Sequence, residues 1–246
     1  VDLFVLSALT LLAPFAADTS YAATCADATK LLAYAIAVRG RFQEHGGWLF
    51  QPGAWSDHPD YLYAAHHKVL PELQPAPIWT LAEDSSHSHR FPLFLRSLVS
   101  CNNLEWSAVG RAALQGLERQ FCERVLHLPS PDFPAPRITN YMDGWNGVYR
   151  YGYETAGPGR GYGPFELSGV LPEGWWGFLP GPRMAAAWDH FVECFPLAPE
   201  VISTYVGPNT SNSRHPLVTW PAYFENGFAE LNVSVLASIA SAQSSG

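Results

Sequence analysis

Lysine is nearly missing from this chain: two of its 14 basic residues are Lys, and acids outnumber bases by 22 to 14. A phosphate backbone selects for a basic face, so a formal net charge of −8 argues against a nucleic-acid partner. Charge of either sign is scarce, at 15% of residues against 48% hydrophobic ones, which excludes a disordered, highly solvated chain. Cysteine is limited to Cys25, Cys101, Cys122 and Cys194, with no CxxC pair, so neither a zinc ribbon nor a thioredoxin-like motif is present. No Gly-x-Ser-x-Gly elbow appears, and the glycine run Gly157-Pro-Gly-Arg-Gly-Tyr-Gly163 lacks the Gly-Lys-Ser/Thr ending of a phosphate loop. A secure membrane span is missing too; the apolar run Leu3 to Ala17 is too short and carries Pro14. Followed by Ser-Tyr-Ala-Ala at 20–23, that run reads either as the remnant of a signal peptide or as a core helix. The first reading implies an extracytoplasmic or secreted protein, with no stable membrane insertion.

What is present is helix-forming pattern and aromatic rings. The 246 residues read as a single helical domain, 1–246, with 1–23 as the segment open to the signal reading. Helical spacing of apolar residues predicts helices over 22–42 and 90–100, then over a stripe running from Trp106 to Val125, then over 183–195 and 222–240. A short helix is predicted around 61–70, stopped by Pro71, while 48–59 and 196–221 read as connections. Short links at 18–20 and 102–103 predict two antiparallel helical hairpins. Proline at 129, 131, 134 and 136 ends the Trp106–Val125 helix. The expected fold class is mainly α, with antiparallel helical hairpins, free-standing or arranged as an incomplete (α/α) toroid, and long aromatic and Gly-rich loops gathered at one end.

The span from Asn140 to Gly181 holds 11 of the 20 glycines together with eight Tyr and Trp, and reads as a long ordered loop. Its acids, amides and rings are the material of a sugar site: carboxylates and amides bond hydroxyls, and rings stack on apolar sugar faces. Asp143 and Glu166 are the candidate acid/base pair for glycosidic hydrolysis, with Trp145, Asn146, Tyr149, Arg150, Tyr162 and Trp175 as substrate-binding candidates. A purely structural reading stands beside this one, in which Asp143 closes an Asx turn and Glu166 caps a helix start. A second cluster, His87-Ser-His89-Arg90 behind Glu83 and Asp84 and downstream of His66-His67, would point His87 and His89 the same way if extended. It suits general acid/base work, metal ligation or ordinary loop histidines; the set lacks a full complement of ligands, and neither a metal nor a cofactor is expected.

Asn102 and Asn103 precede the strongest helix, where Asn is favoured as an N-cap. Together with Trp106 and the hairpin organisation, this pair resembles the helical-toroid (α/α) polysaccharide lyases and related carbohydrate-active enzymes, with Leu104 where that family's pattern has His. The resemblance implies that an amide and an Arg or His neutralise a uronate carboxylate. A Tyr or His then takes the C5 proton, and a Tyr returns one to the leaving oxygen. On that pattern Asn103, His89, Arg90 and one of Tyr149, Tyr151 and Tyr153 fill the roles, with His89 and Tyr151 as the catalytic candidates. The expected function is therefore a carbohydrate-active enzyme cleaving a poly- or oligosaccharide by acid/base hydrolysis or β-elimination. The alternative is a non-catalytic glycan- or ligand-binding helical domain.

Overall fold

The computed structural model describes residues 2–152, 157, 159–173, 175–208 and 220–244. Its regular structure is mainly helical. Helix α1 (Leu3–Ala16) starts at Asp2, whose side chain accepts from the Phe4 amide, and packs against α2 (Ala22–Arg39) across the short link between them. The last three residues of the predicted 22–42 helix instead form strand β1 (Gly40–Phe42), which pairs antiparallel with β2 (Trp48–Phe50). Between the two strands Gly46, at φ +83°, closes the turn in a conformation that side chains resist.

No α-helix forms around 61–70. A 3-10 turn (Pro59–Tyr61) is followed by irregular chain whose backbone groups bond elsewhere: the Ala65 amide donates to Ala76, the Ala76 amide to Leu62, and the Ala64 carbonyl accepts the Trp145 indole. Helical propensity here loses to tertiary partners that satisfy the same groups. The segment 85–90 is not extended either; Ser85–Ser88 make a single helical turn, α3.

Helix α4 (Phe91–Val99), entered through Pro92 in its first turn, packs on α5 (Leu104–Gln120), and α5 continues through a π-helical turn to Val125. Strands β3 (Leu126–His127) and β4 (Arg137–Ile138) then bracket the proline-rich stretch. Helices α6 (Pro182–Glu193), α7 (Pro199–Val206), α8 (Trp220–Glu225) and α9 (Phe228–Ser244) complete the described structure, with α6 packed on α9. Helix α7 falls inside the connection predicted at 196–221, of which 209–219 lie outside the described residues. The predicted 222–240 helix is broken at Gly227, φ +87°, where the Asn226 side chain caps the Phe228 amide.

Two apolar clusters organise these parts. The larger is built from the helices around Leu32, Leu95, Leu98, Leu117, Phe121 and Trp176. The smaller one gathers Tyr61 from the 3-10 turn with Ala64, Leu81, Tyr141, Tyr149 and Leu167 from irregular chain, and sits behind the residues described next. Among the described residues, no helix is long and apolar enough to cross a membrane.

Candidate functional site

The long loop predicted at 140–181 is ordered by buried amides rather than by regular structure. Asn140, with no exposed surface, donates from Nδ2 to the Gly147 and Gly163 carbonyls at 2.8 Å each and accepts the Leu167 amide. Asn146 Oδ1 accepts the Asn140 and Phe165 amides. Strand-like pairing with 83–85 follows: the Ser85 amide donates to Asn140 and the Met142 amide to Glu83. That pairing fixes the start of α3.

Asp84 caps α3 and is fully buried. Its Oδ1 accepts the Ser86 and His87 amides at 3.1 Å, and its Oδ2 accepts the Tyr61 hydroxyl at 2.7 Å and faces His87 Nδ1 at 2.8 Å. Burial alone would raise this carboxyl; the His87 hydrogen bond and charge, aided by Ser86 and Tyr61, hold it down at about 2. The hydrogen bond to Asp84 raises His87 against the opposing effect of burial. His87 is therefore oriented by a carboxylate through Nδ1, which favours its protonated form, and Nε2 has no hydrogen-bond partner among the described residues.

His87 lines a cleft of about 650 Å³ whose other walls come from α1, α2 and β2. Glu83 lines it as well, accepting the Ser88 hydroxyl at 2.9 Å. Burial first, and then the Asp84 charge, push the Glu83 carboxyl up to about 7. Arg90 and Arg39 supply positive charge to the same cleft, while Tyr34, Phe50 and Trp55 supply rings. Behind His87, Tyr149 places its hydroxyl 3.5 Å from Nδ1 and 3.4 Å from Asp60 Oδ2, and the Arg150 Nε donates to that same oxygen at 2.8 Å.

The sequence candidates distribute unevenly over this geometry. Tyr149 reaches His87 directly, Arg150 bonds the Asp60 carboxylate that Tyr149 also touches, and Arg90 lines the same cleft. His89 turns away from His87 because the segment is helical: its ring meets Trp175 edge-on at 6.0 Å, and burial, with Arg90 nearby, lowers it to about 4. Trp175 also stacks on Phe4. Tyr162 pairs with Tyr149 through backbone and ring.

Asp143 does not line the cleft; its oxygens accept the Ala82 and Trp145 amides, the Asx-type arrangement expected of the structural reading. Glu166 accepts the Gly163 amide and lines a separate depression with His67, Lys68 and Arg160. Trp145 donates its indole N–H to Ala64. Tyr151 clamps 70–73, accepting the Leu73 amide, with the Leu70 and Pro71 carbonyls in reach of its hydroxyl proton. Tyr153 lies outside the described residues. Asn103 N-caps α5 through the Trp106 amide at 3.0 Å, and Asn102 is an exposed residue in the bend before it. Asn103→Ala should therefore cost about 1 kcal/mol of stability in a denaturant melt and leave ligand affinity unchanged.

Asp60 and Tyr61 were not visible as site residues in the sequence. Asp84 was, in principle: Asp-Ser-Ser-His is an N-cap followed three residues on by the imidazole it holds. Among the described residues no group of three or more His, Cys, Asp or Glu is placed to hold a metal ion. Comparison with protein-family models, with curated proteins and with solved structures gives no match.

Proposed function

We propose that this chain is a carbohydrate-active enzyme that cleaves a glycosidic bond in a poly- or oligosaccharide by proton transfer in the cleft formed by α1, α2 and Glu83–Arg90. The carrying observation is that Glu83 and His87, adjacent on one cap and turn, present a carboxyl pushed up to about 7 and a carboxylate-oriented imidazole to the same sugar-sized cleft. Hydrolysis by two opposed carboxylates is the weaker form of the reading. Asp143 and Glu166 do not line the cleft, and both oxygens of Asp84 are already engaged.

Elimination on an acidic sugar fits the residues better. Arg90 neutralises the substrate carboxylate, and ionised Glu83 takes the proton from the carbon beside it. The C–O bond to the leaving sugar breaks as the ring double bond forms, and the departing oxygen takes a proton from His87 Nε2. Solvent returns a proton from Glu83 to His87. The hairpins α1/α2 and α4/α5 would on this reading belong to an incomplete (α/α) toroid. The aromatic lining also favours a second reading, a non-catalytic glycan-binding domain using the same rings.

A panel of neutral and uronate-containing polysaccharides separates the forms. Reducing ends formed together with the absorbance of unsaturated uronate are the expected result. Reducing ends without unsaturation would return the reaction to hydrolysis, and a folded protein that binds a glycan without cleaving any would leave the binding reading.

A further inference from the structure

We infer that the pair of buried Asp60 and half-buried Arg150, reaching His87 through the Tyr149 hydroxyl, is a positioning element that holds the imidazole on Asp84 and balances the charge behind it. The inference rests on the role given to His87 above. Asp60 is 4% exposed and sits in the 3-10 turn beside Tyr61, the residue that bonds Asp84, so both carboxylates are tied to one short segment. The His58 ring caps that segment by accepting the Asp60 amide. Arg150 is bound to Asp60 twice over, by its backbone amide to the Asp60 carbonyl at 2.9 Å and by Nε to the carboxylate at 2.8 Å. It does this at φ +52°, a left-handed conformation that a non-glycine residue resists and that persists only when its surroundings fix it. The guanidinium also lies 5.2 Å from the centre of the Tyr149 ring. The Tyr149 hydroxyl thus stands between Asp60 and His87, in contact with both.

A surface ion pair needs none of this. Here a buried carboxylate, a strained arginine and a tyrosine with 1% exposure all converge behind one imidazole. The groups that face His87 are Glu83 and Asp84 on its own turn, Asp60 and Tyr61 from the 3-10 turn, and Tyr149 and Arg150 from the loop. Arg90 follows on the same wall as His87, and across the cleft stand Asp2, Tyr34 and Arg39. Asp60 and Arg150 are the oppositely charged members of this set that are bonded to each other behind the ring. Removing Arg150 takes the hydrogen-bonded counter-charge from the buried Asp60 carboxylate, and removing Asp60 takes a carboxylate from the Arg150 guanidinium.

The test is an NMR titration of the full chain with labelled histidine, the His87 signal being assigned by its loss in His87→Gln. Arg150→Gln should raise the His87 midpoint by roughly half to one pH unit, and Asp60→Asn should lower it by roughly the same. The double variant should return to within about 0.3 unit of the parent, since the two changes cancel. Arg150→Lys, which keeps the charge, should stay close to the parent. Single variants that shift the midpoint in the same direction, or by less than about 0.2 unit, would overturn the inference. If Asp60→Asn does not fold, the contrast between Arg150→Gln and Arg150→Lys decides the matter. The titration needs no turnover, so a protein silent on every polysaccharide would overturn the proposed reaction while the His87 shifts still reported on the pair.

Discussion

Glu83→Gln is expected to lower turnover at least about a hundredfold, the usual minimum contribution of a positioned acid or base, while glycan affinity changes little. The variant keeps the shape of the side chain and a carbonyl oxygen to accept the Ser88 hydroxyl, but it can no longer exchange a proton. Its melting temperature should be unchanged or higher, because a carboxyl raised to about 7 is one whose ionised form the fold disfavours. Loss of activity with a gain in stability separates a working carboxyl from a structural one. The parent chain should show the matching pH profile if the proposed reaction holds. Activity should climb as Glu83 ionises around pH 7 and decline once His87, raised above its usual value by Asp84, loses its proton. A profile flat across this range, or Glu83→Gln with full turnover, would remove Glu83 from the chemistry.

Asp84→Ala should have the largest effect on stability, roughly 3 kcal/mol in denaturant melts near pH 6. Three losses combine: the N-cap of α3, the acceptor for the buried Tyr61 hydroxyl, and the counter-charge of His87. The sign of the pH dependence follows from the two shifts. Asp84 is depressed in the fold, so its stabilising contribution is present above its unfolded value near 3.8 and is lost as pH falls through about 2. His87 is raised, so its contribution is complete below its ordinary 6.5 and is lost as pH rises through its higher folded value. The difference between parent and variant should therefore be greatest between about pH 4 and 6.5 and shrink on either side. A variant that is equally stable at all pH values would show that the pair does not hold the turn.

Helices α4, α5 and α6 were legible in the sequence because each carries an apolar stripe and a clear stop or start: Pro92 and Pro182 in first turns, Asn103 as a cap, and prolines beyond Val125. The stretch 61–70 was misread because its pattern is local and its outcome is not; Ala76 and Trp145 take the backbone groups that a helix would have used. Half of the site could be read in one place, since Glu83, Asp84, His87 and Arg90 lie within eight residues. The other half could not. Asp60 and Tyr61 are 23 or more residues upstream of Asp84, and Tyr149 and Arg150 are 62 or more downstream of His87. Only the pairing of 83–85 with 140–142 and the buried Asn140 bring them together. Asp143 shows the converse: an acid before glycine in an aromatic loop looks like chemistry from composition, yet its oxygens hold backbone amides.

The cleft has two kinds of wall with different dependence on the rest of the molecule. Glu83, Asp84 and His87 are bound into a network in which any exchange disturbs several partners. Leu31 and Tyr34, on the opposite wall, are 53% and 65% exposed, on an α2 helix held from its other face by Cys25, Leu32 and Ile36. If the cleft takes the proposed sugar, its preference among ligands would be set on the α2 face, where single substitutions cost the fold little, apart from the networked residues of the other wall. On the proposed reading, reactivity and selectivity would rest on separate walls.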